Sequence, residues 1–207
     1  PGRCYRPPGV VLLLVRGDRE FLCEPGEELH TDLGVLDLPA GIEPGDTVET
    51  HLGEPFTVRA LRGPDLFAHL ERTGAPMMPK DIGLIVGTTG AAATDRVLDA
   101  GTGSGVLAAY LGRLGADVLT FERDPDFADT ARRNMTVAGV SDRVAVRTGD
   151  LLDNLDDVGV FDLLTLDTSD APDAAAAAPS LLQSGGFLAA YSPFIESARS
   201  VAEAAED

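Results

Sequence analysis

The chain has 207 residues, 44% of them hydrophobic, enough for one full domain and a smaller one. Its formal charge is −18, and Lys80 is the only lysine among 16 basic residues. The longest apolar stretch, Val10 to Val15, is too short to span a membrane. No basic region followed by an apolar one opens the chain, so no secretory signal is read and a cytoplasmic protein is expected. An acid-rich, lysine-poor surface suits concentrated salt, where self-repulsion is screened. A halophilic microbe is the expected source; an acidic protein from a GC-rich genome is the alternative. The charge removes the usual basic patch for nucleic acid, but at molar salt the counterion-release contribution is small. RNA binding there rests on shape, stacking and hydrogen bonds. Cys4 and Cys23 form no CxxC pair and no His cluster has metal spacing, so no metal is expected. Buried or free thiols are the first reading of the two cysteines, and a Cys4–Cys23 bridge the second.

Residues 1–65 alternate strand-like runs with turn signals. Val10–Val15, Gly17-Asp18 and Glu20–Cys23 read as a hairpin, and Phe56–Leu61 as another strand. A small β-rich, barrel-like domain is expected. Residues 66–80 read as a linker, within a stretch 63–80 that holds one helical turn. From 81 to 207 helices and strands alternate. Asp81 is placed as the cap of a helix carrying Ile82, Ile85 and Val86. Val97–Ala100 is a strand. A helix over Ser104–Leu114 puts Leu107, Tyr110, Leu111 and Leu114 on one face. Asp117–Phe121 is the next strand. Asp124-Pro125 opens a helix that stops at Gly139. Val144–Arg147 and Phe161–Asp167 are strands, Ala174–Ala178 is an inexpensive helix surface, Phe187–Tyr191 is the fifth strand, and a last helix starts at Ile195. This order gives an α/β fold with a doubly wound parallel sheet, Rossmann-like, behind a small all-β domain.

The chemistry gathers at strand ends. Asp99-Ala100-Gly101-Thr102-Gly103-Ser104-Gly105 follows an apolar strand and opens a helix; with Val106 it is assigned to a cofactor, since its backbone can approach a ligand and its N–H groups can face an anion. The spacing is GxGxG, which suits an amino-acid carboxylate better than a pyrophosphate. Glu122 closes the next strand about 20 residues on, the separation of an acid that takes ribose hydroxyls. Asp150 and Leu151 follow the third strand, where an acid accepts from an adenine amine and a backbone N–H serves the ring. Asp167 ends the fourth strand. The four acids Asp99, Glu122, Asp150 and Asp167 are expected along one carboxyl edge, three for a cofactor and Asp167 for the acceptor.

In order and spacing these pieces resemble class I S-adenosylmethionine-dependent methyltransferases. More narrowly, His30-Thr31-Asp32-Leu33-Gly34, Pro79-Lys80-Asp81, Ala100–Gly105 and Tyr191-Ser192-Pro193 resemble the tRNA adenine-N1 methyltransferases, over nearly the whole chain. The resemblance implies methyl transfer to T-loop adenines, at tRNA position 58 and in archaea also 57. It implies a homotetramer whose N-terminal domains contact tRNA, a haloarchaeal source given the composition, Asp167 as the catalytic residue, and Met78, Lys80 and Tyr191 on the substrate side. The chain departs from the family in three places. Met78 stands where an aromatic or His is usual, Ala75 where a Gln is usual, and Asp167-Thr168-Ser169-Asp170-Ala171-Pro172 where Asp-Leu-Pro is typical. Two further strands of the family are expected beyond the last helix. Another acceptor on the same fold, a non-catalytic cofactor-binding subunit and a nicotinamide oxidoreductase are the competing readings.

Overall fold

The structure, a computed structural model, describes residues 11–206; Cys4, Val10 and the Cys4–Cys23 pairing lie outside the described residues. In chain order the strands are β1 (Leu12–Arg16), β2 (Arg19–Cys23), β3 (Glu28–Thr31), β4 (Gly34–Asp37), β5 (Thr47–Glu49) and β6 (Pro55–Ala60). Helices α1 (Gly63–His69) and α2 (Pro79–Thr89) lead to β7 (Arg96–Ala100), α3 (Val106–Leu114), β8 (Asp117–Glu122), α4 (Pro125–Ala138) and β9 (Val144–Thr148). A short 3-10 helix over Leu152–Asp157 precedes β10 (Phe161–Leu166), α5 (Ala171–Ala176), α6 (Ala178–Leu181), β11 (Leu182–Ala190) and α7 (Ile195–Glu206). No helix among the described residues is long and apolar enough to cross a membrane.

The first six strands make two antiparallel sheets. One has the order β2-β1-β6-β5, and the other is the β3-β4 hairpin. No ladder joins β2 to β5, so the expected barrel is an open sheet with the hairpin beside it. Leu12, Leu14, Phe56 and Val58 from the sheet and Leu36 and Leu38 from the hairpin strand and its exit share one small core. Cys23 sits in that core, and burial, with Glu27 adding to it, pushes its thiol up to about 11. The sheet's other contacts reach the second half of the chain: Val11, Leu61 and Leu66 pack in one cluster with Val106, Leu107 and Leu111.

The stretch expected to be a linker is more ordered than that. Residues 63–69 form α1, its first turn fixed by Asp65, which accepts from Arg62 N (2.6 Å) and takes both Arg59 nitrogens at 3.1 Å. Helix α2 starts at Pro79 with Met78 at its cap, so Asp81 lies in the first turn and is not the cap; proline's fixed φ suits the first helical position.

The five-stranded sheet is parallel throughout, in the order β11-β10-β7-β8-β9. Val97 faces one apolar cluster, and Leu98 and Ala100 the other, so β7 is covered on both sides. The chain leaves β7 toward β8 and β9, then returns to β10 and β11 on the opposite side. That reversal opens a crevice above the carboxyl ends of the central strands. Helix α4 forms as its sequence dictates. Asp124 Oδ1 accepts from Asp126 N (2.9 Å) and Phe127 N (3.3 Å), and Gly139 ends the helix at φ +70°.

Three further expectations are corrected. Helix α3 begins at Val106 rather than Ser104, because Gly105 at its cap has a left-handed φ of +75°. Leu114 is exposed and leaves the face formed by Leu107 and Leu111. The alanine run is not a helix surface: Ala171, Ala174, Ala175 and Ala178 are buried in the cluster that holds Val201 of α7. Small side chains there let α5 and α7 approach closely.

Candidate active site

The turn between β7 and α3 forms the floor of the crevice. Gly101 has φ +95°, and a Cβ there would stand 2.6 Å from the carbonyl carbon of Asp167 and nearer still to its oxygen. The turn after β7 and the end of β10 thus touch at a position only glycine fits. Several N–H groups of the turn are directed inward, contrary to the expectation that the turn itself offers them to a ligand. Gly101 N and Thr102 N donate to Phe121 O, Gly105 N to Thr102 O, and Gly103 N to Glu122 Oε2 (2.8 Å). The open donors are Ser104 N and the first-turn N–H groups of α3 at Val106, Leu107 and Ala108, which have no partner among the described residues. They lie at a helix N-terminus, where a carboxylate is favoured.

The four acids do not stand alike. Asp99 lies one residue inside β7 and is 2% exposed. Its Oδ2 accepts from Thr120 Oγ1 (2.6 Å) on β8, and its Oδ1 from Thr165 Oγ1 (2.5 Å) on β10. Burial pushes its carboxyl up, against the two hydroxyl donors, with the charge of Glu122 adding to the rise. Asp99 therefore braces the crevice from below while it also lines the cavity. Glu122 sits at the tip of β8, its second oxygen accepting from Asp124 N (3.0 Å). Asp150 Oδ1 accepts from Leu152 N (2.9 Å), while Oδ2 meets Arg123 (3.4 Å). Asp167 stands just past β10, its N donating to Ala100 O (2.9 Å). Desolvation, then the charge of Asp99, pushes its carboxyl up to about 6.

These groups surround a cavity of about 380 Å³, within the range of small-molecule sites. Of the residues proposed from sequence, Asp99, Gly101, Thr102, Gly103, Ser104, Val106, Glu122, Asp150, Leu151 and Asp167 line it. Gly105, Met78, Lys80 and Tyr191 do not. Gly105 instead packs beneath α3, where a Cβ would meet Met135 Cε at 2.6 Å. Lys80 is paired with Asp81 (2.7 Å), which holds its ammonium above the ordinary value, and Tyr191 is near enough to add to that effect.

Sequence reasoning missed two walls. One is the strap from Thr73 to Met77, which enters the lining because Thr73 N donates to Ser104 Oγ (2.9 Å). The other is an arch made by Arg123, whose guanidinium pairs with Asp170 and donates to Ser169 Oγ (3.1 Å). The adjacency of Arg123 to Glu122 was the one available signal for the arch. Phe127, Leu107 and Leu152 add apolar surface. A cavity with carboxylates on neighbouring strand tips, open N–H donors at one end and apolar flanks matches the polar ends and flat base of S-adenosylmethionine.

Residues 63–207 match the family model described as the tRNA methyltransferase complex GCD14 subunit. The chain is 32% identical over 206 residues to the tRNA (adenine(58)-N(1))-methyltransferase TrmI of Thermus thermophilus, covering 96% of this chain and 81% of that protein. It is 35% identical over 146 residues to the tRNA (adenine(57)-N(1)/adenine(58)-N(1))-methyltransferase TrmI of Methanocaldococcus jannaschii. There the match covers 69% of this chain and 49% of the relative, so it spans about half of that protein's length. The crystal structure of a SAM-dependent O-methyltransferase from Thermotoga maritima superposes with a TM-score of 0.78 at 28% identity, over 96% of this chain and 77% of the other. The chain belongs to the GCD14/TrmI family of S-adenosylmethionine-dependent tRNA (adenine-N1)-methyltransferases.

Proposed function

We propose that this chain methylates N1 of an adenine in the tRNA T-loop, at position 58, with position 57 as the alternative. The observation that carries the reading is Asp167. Its carboxylate lines the donor cavity, has no side-chain hydrogen bond among the described residues, and is raised to about 6 by burial and Asp99. When bound, S-adenosylmethionine supplies an activated methyl group, so the protein's main task is to align two reactants. Glu122 takes the ribose hydroxyls, Asp150 the adenine amine, and Leu151 N–H the ring. The donors at Ser104 and the first turn of α3 take the methionyl carboxylate. Asp167 accepts from the exocyclic amine of the target adenine and stabilises the positive charge that grows as N1 is alkylated. The target base leaves the tRNA fold to reach it. Met78, Lys80 and Tyr191, outside the cavity, serve the tRNA.

The same reading treats residues 1–65 as a tRNA-contacting unit, 66–80 as its connection and 81–207 as the catalytic unit. It places a homotetramer in the cytoplasm of a halophile. The charge of −18 with a single lysine supports the salt habitat. The test is incubation of unmodified tRNA with labelled S-adenosylmethionine in molar KCl, followed by digestion to nucleosides. Label in 1-methyladenosine is the expected result. A second reading, a small-molecule or protein acceptor, draws on the unusual Thr168-Ser169-Asp170 flank, which lines the cavity beside Asp167. It is favoured if no RNA is labelled.

A further inference from the structure

Asn134 lies on α4 and is 2% exposed, a poor place for an asparagine on helix propensity or burial alone. Its amide is fully used. Oδ1 accepts from Glu71 N (3.0 Å), and Nδ2 donates to Glu71 O (2.8 Å) and to Ser104 O (2.7 Å). The first two bonds pair the side-chain amide with both backbone polar groups of one residue, as a neighbouring β-strand would. They also fix which end of the amide is oxygen, since the reverse would set NH₂ against N–H.

The strap is held at two points before it reaches the cavity. Asn134 holds residue 71, with Arg133 gripping the Glu71 carboxylate at 3.2 Å. Ser104 Oγ holds Thr73 N. Beyond Thr73, the N–H groups of Gly74, Ala75 and Met77 have no partner among the described residues, although these residues line the cavity. The position of this wall is therefore set by the two anchors upstream and by the start of α2 downstream.

We infer that Asn134 is a positioning residue for the donor: by tying the strap to the glycine turn, it sets the wall that closes over the bound S-adenosylmethionine. The inference rests on the donor site proposed above. Asn134 touches neither the cavity nor any reacting atom, and acts through Glu71 and Ser104. Because the strap is the chain arriving from α1, the same anchor joins the N-terminal half to the donor site.

The test compares Asn134→Leu, nearly isosteric but unable to hydrogen-bond, with Val140→Ala, a buried truncation just past α4 that packs near Gly112. Amide exchange without donor reads the anchor, and calorimetry with S-adenosylmethionine reads the wall. Asn134→Leu should speed exchange across 71–77 and weaken donor binding about tenfold, with turnover at saturating donor falling less than affinity. Val140→Ala should do neither. If Asn134→Leu does not fold, Asn134→Ser leaves room for a water and should show the same pattern more weakly. Unchanged exchange in the strap, or donor affinity within twofold of the parent, overturns the proposal. Equal loss of affinity in Val140→Ala also overturns it, since a general destabilisation would then suffice. A parent protein that fails to bind the donor sinks the site assignment itself, which the exchange measurement reads separately from the anchor.

Discussion

Gly101→Ala should break the crevice floor, and the size of the effect follows from two distances. At φ +95° an added Cβ carries the left-handed penalty of about 1–2 kcal/mol. It also points at the Asp167 carbonyl, 2.6 Å from the carbon, so backbone and not a flexible side chain must yield. Overpacking of that kind costs about 1–3 kcal/mol. The sum, about 2–5 kcal/mol, lowers the melting temperature of a chain this long by about 10 °C. Gly103→Ala is the control. Its φ is +53°, but the added Cβ meets nothing nearer than Thr73 Oγ1 at 4.0 Å, so only the left-handed penalty of about 1–2 kcal/mol applies. Thermal melts in molar KCl, with donor binding by calorimetry, separate the two. Gly101→Ala should melt several degrees below Gly103→Ala and lose donor affinity by more than about tenfold, since the displaced turn leads into the donors at Ser104 and the first turn of α3. Melting points within about 2 °C of each other would refute the close approach of the two strand ends.

Asp167→Asn should cut turnover about tenfold to a thousandfold while leaving donor affinity nearly intact. In the parent, kcat/KM should rise through pH about 6, because the ionised carboxylate is the stronger acceptor and alone carries the charge that offsets the growing cation, and the variant's profile should be flat there. The linkage has the opposite sign for stability. The folded state binds more protons between the ordinary value of 3.8 and about 6, so Asp167 lowers stability as pH rises through that window. Asp167→Asn should therefore melt higher than the parent at pH 8. Asp99→Asn replaces an acceptor of two hydroxyl bonds with an amide whose N–H₂ faces Thr120 or Thr165. Unfolding in urea should show a loss of about 1–3 kcal/mol. Arg123→Gln releases Asp150 and Asp170 at the rim, and should change the salt dependence of donor binding with little effect on melting.

The elements with local signals are legible in the sequence. Asp124-Pro125 and Gly139 bracket α4 because capping is decided within a few residues of chain. The apolar strand, the glycine turn and the acid at the next strand tip fix the α/β order for the same reason. What sequence patterning missed depends on contacts far apart in the chain. The bracing role of Asp99 shows only when β8 and β10 bring Thr120 and Thr165 to it. The strap reads as linker because the groups holding it, Ser104 and Asn134, lie about 30 and 60 residues away. The alanine run reads as surface because helix periodicity carries no information about which neighbour will cover it.

The single carboxylate of Asp99 ties three adjacent strands at one level, directly under the ligand crevice. A base braced in this way keeps its width whether or not anything occupies it. Adjustment between donor-loaded and donor-free states is left to the strap and the Arg123 arch above.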